Sequence, residues 1–483
     1  MASRADVIVL GGGPAGMCAA SAAARAGSDS LLIDENSQGG GQVYRAPPAA
    51  FAETSPGAFG PDHAIGASLR LALADSGART AFGCRAWSVS RDVGGAGFRV
   101  DVCDDNGLKA WRAPALVVAT GATERVLPFP GWTLPGVHGL AAATVMLKAQ
   151  KLLPGERVAV AGCGPLLLAV AAGIAKAGGK VAGVIDLASV SDWLRVLPGA
   201  LSRPDLLARG AAWVAGIAAA GTPYLRRHAV TAALGDDRVS AIALSPVAAD
   251  GTVDRASQPL RIDCDALVIG HGLVPNCDVT RILGATHRYA PADGGWIAVR
   301  DGDMRTSIPG LYMAGDGGGI SGAAAAALQG ELAGLAAARD LGALAAQRHL
   351  DLAAPLRRRL GRAMRFGRAM AGLMVERPGL VASIPAETPV CRCEDVTRAE
   401  IDQAVAEGAR EVNQVKAWTR CGMGPCQGRM CGDTVAAVVA RLVGGRSAAG
   451  AFTARVPLRP VPTAQLIGSF DYADIPIPRP APL

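Results

Sequence analysis

Asp6-Val7-Ile8-Val9-Leu10-Gly11-Gly12-Gly13-Pro14-Ala15-Gly16 reads as a short buried strand that breaks into a glycine turn. An Ala-rich helix follows to about Arg25, and Leu31-Leu32-Ile33 is a second strand ending at Asp34-Glu35. That is one βαβ unit. In Gly11-x-Gly13-x-x-Gly16 the first glycine permits the tight turn and the second lets backbone approach a pyrophosphate. The third lets helix and strand pack closely, and the helix N-terminus offers N–H groups to the anion. Pro14 and Ala15 lie inside this motif and count with it as cofactor-binding candidates. Asp34 stands where a carboxylate can accept from a ribose hydroxyl; Glu35, one residue on, is the more solvated of the two acids.

A near copy lies downstream. Arg157–Ala161 is a strand, Gly162-Cys163-Gly164-Pro165-Leu166-Leu167 the turn, and Lys180–Ile185 a strand ending at Asp186. The third glycine position holds Leu167, which is expected to push the helix off the strand and crowd a phosphate. Asp186 would favour NAD over NADP. The spacing leaves open whether this second unit binds NAD or is a degenerate fold kept for structure. Further strands end in glycine at Thr120-Gly121, at Gly270-His271-Gly272 and at Gly315-Asp316. Such alternation predicts an α/β protein with parallel sheets.

The chain has 483 residues, half of them hydrophobic and 18% charged. That excludes a mainly disordered chain and leaves room for two to four domains. The net charge of +7 comes with no nucleic-acid recognition motif, so no nucleic-acid partner is expected. Apolar stretches such as Leu166–Ala175 are too short to span a bilayer, and Asp6 leads straight into a strand rather than a signal sequence. The expected location is the cytoplasm, where clustered thiols more often hold metal than form disulfides.

Five of the 11 cysteines fall between 390 and 440: Cys391, Cys393, Cys421, Cys426 and Cys431. Thiolates in close pairs about 30 residues apart suit an iron–sulfur cluster or zinc. Cys391-x-Cys393 is a spacing less usual for zinc. The other cysteines are isolated in sequence and read as small buried hydrophobes. Upstream lie Arg357, Arg358, Arg359, Arg362, Arg365 and Arg368, either a solvated helix face or a contact for an anion or partner. From Arg455 to Leu483 there are seven prolines, which predicts an extended strap.

Gly11–Gly16, Gly40-Gly41-Gln42, Ala119-Thr120-Gly121 and Thr306–Asp316 together resemble the two-dinucleotide-binding-domain flavoproteins that include thioredoxin reductase. The resemblance implies FAD, with Asp316 of the Gly315-Asp316 pair on the ribityl chain, Asp34 on the ribose, and Gly41, Gln42, Thr120 and Gly121 lining the site. A helix N-cap is the plainer role for Asp316, and the two are compatible. No Cys-x-x-Cys exists in the chain, so disulfide reduction is not expected. Residues 390–440 resemble the bacterioferritin-associated-ferredoxin-like [2Fe-2S] domain. That likeness implies Cys391, Cys393, Cys426 and Cys431 as ligands and sets Cys421 aside as a spare thiol that could replace one of them.

The order of flavoprotein, [2Fe-2S] domain and Pro-rich tail resembles the alpha subunit of heteromeric amine and amino-acid dehydrogenases, the group of opine oxidase, proline dehydrogenase and hydrogen cyanide synthase. This implies a beta subunit of amine-oxidase type with its own FAD, with room for an FMN between subunits and for a small third subunit. No acid–base pair for the amine stands out here, so catalytic residues stay unassigned. The domains expected are 1–125 with 265–345 (FAD), 126–264 (NAD(P)-type), 346–389 (Arg-rich helical linker), 390–440 ([2Fe-2S]) and 441–483 (Pro-rich strap). Two rival readings remain: an NADH-dependent reductase feeding its own cluster, and a non-catalytic nucleotide-binding scaffold.

Overall fold

The computed structural model describes residues 3–48, 51, 61–92 and 97–467. The architecture is α/β, as the glycine-ended strands predict. Val7–Leu10 is fully buried and lies at the centre of a five-stranded parallel sheet. Its neighbours are Ala115–Val118 and Ser30–Ile33, with Leu311–Met313 and Arg79–Ala81 at the edges. Near-continuous Val, Ile and Leu runs are what a parallel sheet covered on both faces requires.

Two helices, Pro14–Arg25 and Ala323–Asp340, pack together against this sheet. Glycine makes their close approach possible. A Cβ on Gly330 would collide with the Ala15 carbonyl, and one on Gly334 with that of Ala19.

The chain leaves this sheet through Ala122–Glu124 and returns through Leu273–Pro275, two antiparallel strands paired with each other. Between them lies a second five-stranded parallel sheet, in the order Val137–Gly139, Ala266–Gly270, Arg157–Gly162, Lys180–Asp186, Tyr224–Arg226. Each parallel sheet carries a smaller, mainly antiparallel companion: residues 85–113 with Ser3–Arg4, and residues 228–263.

A long helix, Ala346–Gly372, follows. It buries Leu356, Leu360 and Ala363 against the first core. Arg358, Arg359, Arg362, Arg365 and Arg368 are exposed, and Arg357 turns inward to pair with Asp303. The arginine run is therefore mostly a solvated face. The cysteine-bearing region is helical: Arg398–Ala406, Val412–Thr419 and Gly432–Val443. The first of these starts in a capping box between Thr397 and Glu400.

Beyond it, Leu458 is buried and donates its N–H to the Trp87 carbonyl at 2.6 Å, so the tail lies along the antiparallel companion of the first sheet. The expected extended path is interrupted once, by a short helix at Thr463–Ile467, a segment that holds no proline and begins directly after Pro462. The rest of the expected strap, 468–483, lies outside the described residues. Among the described residues no helix is long and apolar enough to cross a membrane.

Candidate functional site

The first glycine turn forms an open cradle. Gly11 has φ of +104°, and a Cβ there would strike the Ala119 carbonyl. A Cβ on Gly16 would strike the carbonyl of Gly11, which is why helix and strand can meet so closely. Gly13 differs. Its Cβ would meet nothing nearer than Gly41 Cα at 3.9 Å, so the space above it is free for a ligand. Gly41 has φ of +59° and closes the other side, 2.8 Å from Gly13 Cα if it bore a Cβ. Pro14 is the first residue of the helix and Ala15 is buried behind it.

Asp34 is fixed at the end of its strand. One carboxylate oxygen accepts from Gly12 N–H; the other accepts from the backbone and side-chain amides of Asn36, both at 2.7 Å. Glu35 points away: it is exposed and pairs with Arg85 at 3.4 Å. Gln42 is exposed. Thr120 donates to the Asn276 carbonyl at 3.3 Å, and Gly121, with φ of +69°, has open space where a Cβ would stand.

Asp316 lies in a single 3-10 turn, Gly315–Gly318, ahead of the helix Ala323–Asp340. The N-cap of that helix is Gly322, not Asp316. One Asp316 oxygen accepts from the N–H groups of Ser321 and Gly322 at 2.8 and 3.0 Å. Burial pushes its carboxyl up. Two supporting residues have no sequence signal. Gln329, fully buried, accepts from Gly315 N–H at 2.9 Å. Arg300 lies under Gly318 and donates to Met313 O and Gln329; burial brings its guanidinium down to about 10.

The second glycine turn is occupied by the chain itself. Leu167 does not crowd the phosphate position; it is buried in the core with Val160, Val184 and Val268. The obstruction is Met374. A Cβ on Gly164 would stand 2.6 Å from Met374 Cγ, and one on Gly272 would stand 2.9 Å from Met374 Cβ. Asp186 is fully buried and already engaged by Tyr224 Oη at 2.8 Å, Trp193 Nε1 at 3.3 Å and Ala188 N at 2.8 Å. Met374 is held in turn by Arg125, which donates to its carbonyl at 2.9 Å and to Asp433 at 2.7 Å. Arg446 pairs with both Asp433 and Glu376. This buried network joins the first domain, the segment after the long helix and the cysteine region.

The five clustered thiols come together. Cys391, Cys421 and Cys431 are buried with their sulfurs within 4.8 Å of one another. Cys393 and Cys426 form a second, half-buried contact within hydrogen-bonding reach. Each member of the first close pair thus meets one member of the second: Cys391 with Cys431, Cys393 with Cys426. Cys421, which the ferredoxin-like resemblance sets aside as the spare thiol, joins the buried side. Glycine shapes the loop, since a Cβ on Gly424 would collide with Cys393 Cβ. Cys421 and Cys431 hydrogen-bond to Cys391 and draw its thiol well below the usual range, helped by the Gly422 N–H at 3.4 Å. A thiolate favoured inside a group of thiols is what a soft metal centre needs of its donors.

Residues 5–330 match the family described as pyridine nucleotide-disulphide oxidoreductase, and residues 387–469 match the sarcosine oxidase A3 domain. Among curated proteins, the opine oxidase A subunit of Rhizobium meliloti is 34% identical, covering 95% of this chain and 87% of that protein. The hydrogen cyanide synthase subunit HcnB of Pseudomonas protegens is 32% identical over 94% of this chain and 96% of its own length. Among solved structures, the L-proline dehydrogenase from P. horikoshii shares the fold, with a TM-score of 0.67 and 21% identity, covering 96% of this chain and 80% of that one.

Proposed function

The chain belongs to the pyridine nucleotide-disulphide oxidoreductase family and, over nearly its whole length, to that of the opine oxidase A subunits. From this premise we propose that it is the electron-transfer flavoprotein subunit of a heteromeric oxidoreductase. A partner subunit of amine-oxidase type, carrying its own FAD, would oxidise a secondary amine or amino acid. The chain is a flavin-dependent oxidoreductase acting on amine donors; the division of labour between subunits is the further step.

The observation that carries the reading is the pairing of an open cradle at Gly13 with a group of three buried thiols and a neighbouring thiol pair in the same chain. When bound, FAD would exchange electron pairs and a [2Fe-2S] cluster single electrons. The Gly11–Gly16 turn and its helix N-terminus hold a pyrophosphate, and Asp34, already oriented by Asn36, accepts from a ribose hydroxyl. Gly41, Thr120, Gly121, Gly315 and Asp316 shape the rest of the site. Cys391 with Cys393, and Cys426 with Cys431, hold the cluster; Cys421 supports them from the buried side.

Met374 over Gly164 and the engaged Asp186 support a second domain that takes no nicotinamide, against an NADH-driven reductase. The open cradle at Gly13 supports a bound flavin, against a bare scaffold. The test is anaerobic reduction of the chain with and without its partner. A secondary amine or amino acid should bleach the flavin only when the partner is present, and NADH should not bleach it. Fast bleaching of the isolated chain by NADH would reject the reading.

A further inference from the structure

Arg429 stands between Cys426 and Cys431, and its side chain is 19% exposed. Its guanidinium is shared among three segments that lie far apart in sequence. Inside the cysteine loop it donates to the Cys426 carbonyl at 3.3 Å and to the Gln427 side chain. In the tail it donates to the Leu458 carbonyl. It also pairs with Asp278 of the first nucleotide domain at 3.2 Å.

Both outer contacts lead to the nucleotide cradle. Asp278 directly follows Asn276 and Cys277, which are tied to the turns at Thr120–Gly121 and Asp316. Asn276 donates its N–H to the Gly121 carbonyl at 3.0 Å and accepts from the Thr120 hydroxyl at 3.3 Å. The Cys277 thiol donates to the Gly317 carbonyl, one residue past Asp316, at 3.3 Å. Leu458 leads to the other end of the cradle. Its N–H is held by the Trp87 carbonyl, and the Pro460 carbonyl accepts from Arg85 at 3.3 Å. Arg85 pairs with Glu35 at 3.4 Å, and the adjacent Cys84 N–H donates to the Asp34 carbonyl at 3.0 Å. One side chain of the cysteine loop therefore reaches both ends of the cradle through a few residues on each side.

The place of Arg429 depends on how the loop is held. Gln427 and Gly428, just before it, have φ of +55° and +78°, and the left-handed conformation is unfavourable for a residue that bears a side chain. Such a turn persists only while its surroundings fix it. Here the flanking residues are thiols, Cys426 against Cys393 and Cys431 against Cys391 and Cys421. Ionised thiols this close repel one another unless a cation binds them, so ligation fixes the turn and loss of the metal frees it. We propose that Arg429 is a positioning residue that couples the two sites: the cradle holds FAD tightly only while the cysteine loop is ligated. The proposal rests on the electron-transfer reading and adds to it a dependence of one site on the other. A chain that loses its metal gives up its flavin as well, so a half-assembled subunit carries no reducible flavin.

The test is the FAD dissociation constant, read from free-FAD fluorescence as the purified chain is diluted, for protein that holds its iron and for the same protein stripped by a chelator. Stripping should weaken FAD binding about tenfold. In Arg429→Gln the two forms should bind FAD alike, both at the weaker level. Arg429→Lys keeps the charge opposite Asp278 but not the planar fork, and should retain part of the difference. Asp278→Asn, nearly the same in shape, should cut the difference to about threefold and serves should Arg429→Gln fail to fold. A merely structural Arg429 would lower the melting temperature of its variants and leave the dependence on iron intact. Equal affinity with and without iron in the unaltered chain would overturn the proposal. So would a tenfold difference that survives in Arg429→Gln or, if that variant does not fold, in Asp278→Asn. FAD or iron missing from every preparation rejects the electron-transfer reading and the coupling with it; both present, with equal affinities throughout, rejects the coupling alone.

Discussion

The side chain of Met374 lies over the Cα of Gly164, so close that a Cβ at Gly164 would stand 2.6 Å from Met374 Cγ. The glycine that would let backbone approach a pyrophosphate instead lets a methionine of the same chain sit down on the turn. Arg125 donates to the Met374 carbonyl and is itself fixed by Asp433, so the occupant is held and not merely resting there.

From this closure we expect no tight NADH binding. Met374→Ala alone should not restore it, because Asp186 stays engaged by Tyr224 and Trp193. Removing that half-buried side chain should cost about 2 kcal/mol of stability. Calorimetric titration with NADH checks the first point and denaturant unfolding the second. Micromolar NADH affinity in the unaltered protein would contradict it.

Gly13→Val should abolish FAD retention while leaving the fold intact, because a Cβ there enters open space and comes no nearer to backbone than 3.9 Å, at Gly41 Cα. Gly16→Ala should behave differently. Its Cβ collides with the Gly11 carbonyl, so loss of stability should accompany loss of flavin. Released FAD per chain, measured beside the circular-dichroism melting curve, distinguishes the two.

Glu124 sets a pH dependence. It accepts from Ala141 N–H at 3.2 Å beside Gly139 and Gly270, and burial pushes its carboxyl from the ordinary 4.5 to about 7. The folded state therefore holds a proton that the unfolded chain has released between these values. Stability should be greatest below pH 4.5 as far as this group is concerned, and should fall as the pH rises toward 7. The loss is on the order of 1–2 kcal/mol, given the partial exposure of the residue. Glu124→Gln should flatten that slope in urea unfolding at pH 5 and pH 8; an unchanged slope would assign it elsewhere.

The Arg125–Asp433 pair is a buried bridge across domains, with the Arg125 side chain 3% exposed. Asp433→Ala leaves Arg125 and Arg446 without their shared carboxylate and should destabilise the protein by about 3–5 kcal/mol. Replacing Arg125 by Met in the same chain should recover part of that loss. A double-mutant cycle measures the coupling.

Much of the fold could be read from sequence because parallel strands announce themselves as apolar runs ending in glycine. The Gly11–Gly16 turn, Asp34 and the strand at Leu311–Met313 all depend on local geometry that the chain spells out. Met374, Arg125 and Gln329 could not be read in the same way. Met374 meets Gly164 across the interval of a whole domain, and no spacing rule links a methionine after a long helix to a turn before another. Leu167 shows the opposite error: it breaks the glycine pattern, yet a core large enough to accept it absorbed the side chain. Among the cysteines, spacing grouped five but could not say which sulfurs touch, because that depends on how the loop between Cys421 and Cys431 folds back on Cys391 and Cys393. The short helix after Pro462 was missed since proline content was averaged over the tail.

Ligand choice among the thiols is open to a direct comparison. Cys393→Ser, Cys426→Ser and Cys431→Ser should each lose or shift the cluster spectrum. Cys421→Ser should leave it largely intact but lower stability, since that side chain is fully buried. Loss of the cluster in Cys421→Ser with retention in Cys431→Ser would reverse the assignment.

Electron paramagnetic resonance of the chain, purified without air and reduced with dithionite, decides whether its clustered thiols hold an electron-transfer centre. We expect about two iron and two acid-labile sulfides per chain, a single unpaired spin of the [2Fe-2S] type on reduction, and FAD released on denaturation. Stoichiometric zinc with no iron and no reducible signal would contradict it.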